Sequence, residues 1–186
     1  MGTTAIFALI GDPVDHSMSP LIQNTAFRSL GIDAAYVPFQ VKPPALGLAV
    51  RGLRALGVSG FNITAPHKVM VMRYLDKLER TATEIGSVNT VVSDRGSLLG
   101  YNTDGVGAVN ALRKAGAALH GESIVVVGAG GAGRAIAYAM ASHARKILLA
   151  NRTLAKATQL QNQLRRRFKI DISTTAISDR NFARFG

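Results

Sequence analysis

The chain of 186 residues has no cysteine and no tryptophan. The first absence excludes disulfides, thiolate metal sites and thiol catalysis. Acidic residues are scarce: 11 Asp and Glu stand against 22 Lys and Arg, a formal net charge of +11. Long apolar runs are also missing. Near the N-terminus the longest is Ala5 to Ile10, without a basic segment before it, which is short for a secretory signal and for a membrane span. The four histidines are scattered, and none pairs with another at helical metal-ligand spacing. The expectation is a cytoplasmic, metal-free protein that neither enters a membrane nor binds nucleic acid. The basic excess bears on that last point. Residues 1–150 are net +5 and residues 151–186 net +6, with the run RRRFK at 165–169. No aromatic interleaving accompanies it, so it reads first as a solvated helix face. A field that attracts an anionic cofactor, or nucleic-acid binding through the tail, are the alternatives.

What is present is enough apolar residue, 47%, to bury a core, arranged as alternating strand and helix signals. Strands are expected at 5–10, 34–39 and 58–64, with Pro38 marking an edge or a strand end. Ser19-Pro20 looks like a cap and first turn of a helix that Gly31 closes. Leu46, Val50, Leu53 and Leu56 form one helical face before Gly57. A helix is expected from Pro66 to Leu75 and a short one before Gly86. VNTVVS and LLGYN flank Asp94-Arg95-Gly96 as a hairpin. A helix at 103–114 leads to a strand, glycine turn and helix at 123–135, a strand at 146–153, a helix at 154–167 and a short strand at 169–174. The fold class is α/β: an N-terminal α/β substrate domain followed by a partial Rossmann-type dinucleotide-binding domain. The expected bounds are 1–102, a connecting helix and linker at 103–121, and 122–186.

Gly128, Gly130 and Gly133 form GxGxxG directly after the strand SIVVV and before an alanine-rich helix. In that context the first glycine permits a tight turn, the second lets backbone approach a pyrophosphate, and the third allows close helix–sheet packing. Gly128, Ala129, Gly130, Gly131, Ala132 and Gly133 are therefore candidate phosphate-binding positions. No acidic residue lies between Glu122 and Asp171, and the next strand ends in Asn151, Arg152 and Thr153, with Lys156 just beyond. A carboxylate at that strand end would suit a ribose 2′-hydroxyl; a guanidinium suits a 2′-phosphate. NADP is the expected cofactor.

In the first part, polar residues gather at expected strand ends, where open α/β sheets bind ligands. They are Ser17 and Ser19 in GDPVDHSMSP, Asn62, Thr64 and Lys68 in GFNITAPHK, Asn89 in GSVNT, and Asp104 in GYNTDGVG. Lys68 and Asp104 suit a proton-transfer pair across a cleft. Each residue also has a plainer reading. Ser19 reads equally as a cap, Asn89 and Asn102 as satisfiers of loop backbone, and Asp104 as a helix cap; His16 and His67 read as structural.

These motifs, with GAGGAGRA and NRT, follow the order and spacing of the shikimate dehydrogenase family, which residues 5 to about 165 resemble. The resemblance implies NADP-linked reduction of 3-dehydroshikimate to shikimate on the route to chorismate and the aromatic amino acids. It implies that Ser17 and Ser19 bind the substrate carboxylate, that Thr64, Asn89 and Asp104 hold ring hydroxyls, that Lys68 and Asp104 are the catalytic pair, and that Asn62 shapes the loop. A homodimer is compatible with it. Two departures stand out. Gln23 precedes Asn24 where family members commonly have His, which leaves quinate open as a substrate. From Glu122 onward only 65 residues follow, enough for the adenosine half of the nucleotide fold, so binding without turnover is the alternative for this chain.

Overall fold

The computed structural model describes residues 4–177, which divide between two compact units, Met1–Asn102 and Thr103–Gly186. In the first, strands β1 (Ala5–Gly11), β2 (Ala34–Gln40), β3 (Gly60–Ile63), β4 (Lys77–Leu78), β5 (Thr90–Asp94) and β6 (Ser97–Tyr101) form one sheet in the order β2-β1-β3-β5-β6-β4. β1 runs parallel to β2 and β3, while β5 pairs antiparallel with β3 and β6. Helices α1 (Ser19–Ser29), α2 (Leu46–Ala55) and α3 (Arg80–Ile85) flank it. Pro38 lies in β2, at the sheet edge, where the lost amide is tolerated. The core joins Ile10, Ile63, Val91 and Leu98 from the sheet to Leu46, Val50 and Leu53 of α2, whereas Leu56, expected on the same face, lies at the C-cap and is exposed.

Three local expectations are corrected. Ser19 does not cap α1: Met18 holds the cap position without a side-chain bond, and the Ser17 hydroxyl accepts from the Ser19 N–H at 3.3 Å. Residues 66–75 do not form an α-helix but a turn followed by a 3₁₀ helix, Met70–Tyr74. The reason is competition: the Lys68 carbonyl accepts the Val88 N–H at 2.8 Å, and His67 is anchored in the interior by contact of its Nε2 with the Val41 carbonyl at 2.6 Å. The strand expected at 169–174 begins later, at Asp171, because Phe168 and Ile170 pack against the second core before the backbone pairs.

That second unit holds β7 (Ser123–Val127), β8 (Lys146–Asn151) and β9 (Asp171–Ala176), all parallel in the order β7-β8-β9, with α4 (Asp104–Lys114), α5 (Gly131–Met140) and α6 (Leu154–Arg165). The central strand β8 is buried at four consecutive positions, Ile147 to Ala150, as expected of a parallel strand covered on both faces. Segment 103–121 belongs to this unit: Val109 and Leu119 enter its core. Gly105 lets α4 approach α5, since a Cβ there would lie 2.5 Å from the Ala135 carbonyl oxygen. Among the described residues no helix is long and apolar enough to cross a membrane.

Glu79 caps α3, accepting from the amides of Thr81 at 2.7 Å and Ala82 at 3.2 Å. The Thr81 bond, more than any other influence, holds its carboxyl below the usual value of 4.5. A carboxylate with a depressed native pKa contributes stability that is full above its unfolded pKa and fades as pH falls through the native one. Glu79→Gln should therefore lose stability at neutral pH, on the order of 1 kcal/mol as for other cap losses, and the difference from the parent should shrink below about pH 4.5. Urea melts across pH 3–7 measure it; a pH-independent difference would remove the charged cap from the account.

Candidate functional site

In the first unit the expected substrate residues gather at the carboxyl ends of β1 and β3. The loop after β1 carries Ser17, whose N–H donates to the Val14 carbonyl, and leads into Ser19 at the start of α1. It is tied to the loop after β3 by the Asp12 N–H donating to the Ala65 carbonyl at 2.9 Å. Gly11 makes that approach feasible, because a Cβ there would meet the Thr64 methyl at 2.1 Å. Thr64, Lys68 and Asn89 are then linked by main chain. Thr64 donates its N–H to the Ile10 carbonyl, Lys68 O accepts from Val88, and Asn89 O accepts from Ile63, each within 2.9 Å. The three residues come from two loops that sequence places some twenty residues apart, and the backbone ladder holds them together.

Beneath them runs a polar brace that sequence reasoning did not find. Asn24 of α1 brackets the backbone of Tyr36, donating to its carbonyl and accepting from its N–H, both at 2.9 Å. This satisfies the backbone groups of Tyr36 on the edge strand β2. The Tyr36 hydroxyl donates to Asn62 Oδ1 at 2.8 Å, reaching past β1 to β3. Asn62 Nδ2 in turn donates to the Asn89 carbonyl at 3.2 Å and the Thr90 hydroxyl oxygen at 3.1 Å. Finally the Thr90 hydroxyl donates to Asn89 Oδ1 at 3.0 Å. Asn62 thus shapes the loop from behind, and burial pushes the Tyr36 phenol up to about 12. The signal available in the sequence was an asparagine inside an otherwise apolar strand. The partner 26 residues away was not readable.

Asp104 is the first residue of α4 in the second unit, where a carboxylate complements the helix dipole. The glycine turn lies between β7 and α5. Gly128, with φ of +105°, adopts a conformation side chains avoid, and its N–H donates to the Ala150 carbonyl at 2.7 Å. A Cβ on Gly133 would fall 2.1 Å from the Gly128 oxygen, so this glycine serves packing. A Cβ on Gly128 or Gly130 would meet nothing within 4 Å. That open space, at a helix start where Gly130 offers no side-chain cap, fits a phosphate group approaching the amides of Gly131, Ala132 and Gly133. Asn151 closes β8 and divides its amide between the two adjoining turns: Oδ1 accepts from the Ala129 N–H at 3.0 Å and Nδ2 donates to the Thr153 carbonyl at 2.8 Å. Arg152 and Thr153 are exposed beside it, and Lys156 is exposed on the first turn of α6. No group of three or more potential metal ligands occurs among the described residues.

Fold and site together define an α/β chain with a dinucleotide turn and a separate polar cluster at parallel strand ends. A family model described as the shikimate dehydrogenase substrate binding domain matches residues 9–91, and one described as shikimate / quinate 5-dehydrogenase matches residues 110–180. A shikimate dehydrogenase structure from Aquifex aeolicus superposes with a TM-score of 0.84 at 36% identity, over 96% of this chain and 71% of that one. A Listeria monocytogenes shikimate 5-dehydrogenase in complex with shikimate and NAD gives 0.86 at 37%, over 96% and 63%. The shikimate dehydrogenase (NADP(+)) of Caldanaerobacter subterraneus subsp. tengcongensis is 47% identical over 178 residues, 95% of this chain. The chain belongs to the shikimate dehydrogenase family. It spans 64% of the length of the Caldanaerobacter relative.

Replacing Tyr36 with Phe isolates the brace, leaving Asn62 Oδ1 without its donor. The expected cost is about 1–3 kcal/mol, that of an unsatisfied interior polar group, read from urea denaturation. Because the native phenol titrates above its unfolded value, its contribution is full below the unfolded pKa, about 10, and is lost as pH rises toward about 12. The variant should lack that alkaline step in ultraviolet titration. A variant as stable as the parent would show that the Tyr36–Asn62 bond carries no weight.

Proposed function

We propose that this chain is the substrate- and adenosine-binding part of an NADP-dependent shikimate dehydrogenase, which interconverts 3-dehydroshikimate and shikimate. The observation that carries the substrate half is the main-chain ladder that collects Thr64, Lys68 and Asn89 beside the Ser17 loop. In this reading Met1–Asn102 is the substrate domain. The hydroxyls of Ser17 and Ser19 bind the substrate carboxylate, and Thr64, Asn89 and Asp104 hold ring hydroxyls. Lys68 delivers a proton to the ketone oxygen during reduction and receives it from the hydroxyl during oxidation, with Asp104 as its partner. When bound, the nicotinamide supplies or accepts the hydride. The residues that would hold NADP are the turn Gly128 to Gly133 for the pyrophosphate and Arg152, with Thr153 and Lys156 beside it, for the 2′-phosphate. Asn151 sets the two turns against each other. The cofactor named for the Caldanaerobacter relative, NADP(+), supports this choice. A cytoplasmic setting and a homodimer belong to the same reading, as does quinate as a second substrate, given Gln23; sedimentation and a quinate assay check the last two.

Joined to the remaining C-terminal length of the Caldanaerobacter relative, the chain should oxidise shikimate with NADP. Lys68→Ala in that chimera should lower turnover by about 10²–10⁴ while leaving shikimate binding nearly unchanged, the pattern of a lost acid–base group. Turnover close to the parent's would remove Lys68 from the chemistry.

The cofactor assignment is measurable on the 186-residue chain itself. Arg152→Ala should weaken NADP about ten- to a hundredfold, the worth of one charge-assisted contact, and NAD far less, because only NADP carries the 2′-phosphate. Calorimetric titration with both nucleotides decides; equal losses would make Arg152 a packing residue.

A further inference from the structure

A cavity of about 270 Å³ opens in the first unit between α2 and the 3₁₀ helix Met70–Tyr74. It shares no residue with the cluster of Ser17, Thr64, Lys68 and Asn89. Three arginines line it: Arg51 and Arg54, adjacent on one face of α2 by their i, i+3 spacing, and Arg73 from the 3₁₀ helix. Asp76 is the only acidic residue of the lining, and its Oδ2 is already committed twice. It accepts from Arg54 Nη2 and from the Leu98 N–H, both at 2.7 Å. The leucine amide, more than any other influence, holds the Asp76 carboxyl below its usual range, so it stays ionised and the lining keeps a net charge of +2. Arg54 Nε is buried and has no hydrogen-bond partner. Three arginines lining one concavity with a single carboxylate leave an uncompensated positive charge, and one bound oxyanion relieves their mutual repulsion.

We propose that this cavity is an anion site for a phosphate group, free or carried by a phosphomonoester, held by the guanidinium groups of Arg51, Arg54 and Arg73 that line it. The chemistry favours phosphate because planar guanidinium groups match its oxygens in pairs and because the excess charge is that of a dianion. An aromatic ligand is disfavoured. The Tyr74 ring is applied to α2, where a Cβ on Gly47 would lie 2.7 Å from it, and so is taken up by packing.

The test follows the arginine Nε–Hε signals of the ¹⁵N-labelled 186-residue chain during titration with potassium phosphate and, separately, glycerol 3-phosphate. Ionic strength is held constant with potassium chloride, and the Arg54 signal is assigned by its disappearance in Arg54→Lys. The expected result is a saturable shift of that signal. It should weaken about tenfold or more in the double variant Arg51→Ala/Arg73→Ala, whose exposed side chains can be removed without touching the core. Tighter response to glycerol 3-phosphate assigns the site to phosphomonoesters, tighter response to phosphate to the free ion, and both support it. A linear shift equal to that with chloride, a saturable shift indifferent to the double variant, or saturation confined to Arg152 would overturn it. The nucleotide assignment stands apart from these outcomes, since Arg152 lies in the other unit.

Discussion

The amide of Asn62 is the interaction on which the first unit's site depends. One side chain accepts from Tyr36 of the edge strand and donates to both Asn89 and Thr90, so β2, β3 and β5 are joined through a single planar group. A planar amide fixes the directions of its donors and its acceptor together. The loop bearing Asn89 therefore cannot shift without straining the bond to Tyr36. Asn24 extends the same logic to α1, which has no fully buried residue and packs on the sheet through the partly buried Phe27. The residues read as substrate-binding sit on loops, and loops are positioned only as well as the groups behind them.

The second unit solves a comparable problem with glycine. The three glycines of the turn are chemically identical, yet the structure gives them different roles. Gly133 is required by the 2.1 Å approach to the Gly128 oxygen, Gly128 by its φ of +105°, and Gly130 by neither. Gly130 sits in extended backbone with open space where its side chain would be. Internal packing gives no reason for glycine there, and an approaching phosphate does. NRT divides in the same way: Asn151 joins the turns by hydrogen bonds, and Arg152 is left exposed with its charge.

Much of this was legible from sequence because it is local. Hydrophobic periodicity located eight of the strands to within a few residues, and glycine marked the ends of α1, α2 and α3 at positive φ, in Gly31, Gly57 and Gly86. What was not legible is where a backbone group is claimed from far away. Residues 66–75 have a helical composition, but the Lys68 carbonyl is taken by Val88, twenty residues on, and the helix tightens to 3₁₀. The two-residue strand β4 exists only because β6 lies beside it, and no pattern of two residues could announce it. Polar residues at strand ends could be picked out singly; the brace that orders them spans Asn24 to Thr90 and is visible only in the folded sheet.

The competition at Lys68 also bears on function. In a continuous helix from Pro66, residue 68 would lie in the first turn, with its direction set by the helix. Here its carbonyl is fastened to the segment that carries Asn89, so the backbone of Lys68 and the site of Asn89 move as one. His67, one residue earlier, is locked inside against the Val41 carbonyl. The chain on either side of Lys68 is thus fixed by main-chain and interior contacts, while its long side chain remains only partly buried. The proton-transfer role proposed for Lys68 would use both properties: an anchored root, so that its reach is defined, and a side chain able to adjust to the oxygen it would serve. Forgoing the regular helix is what allows the two to coexist at this position.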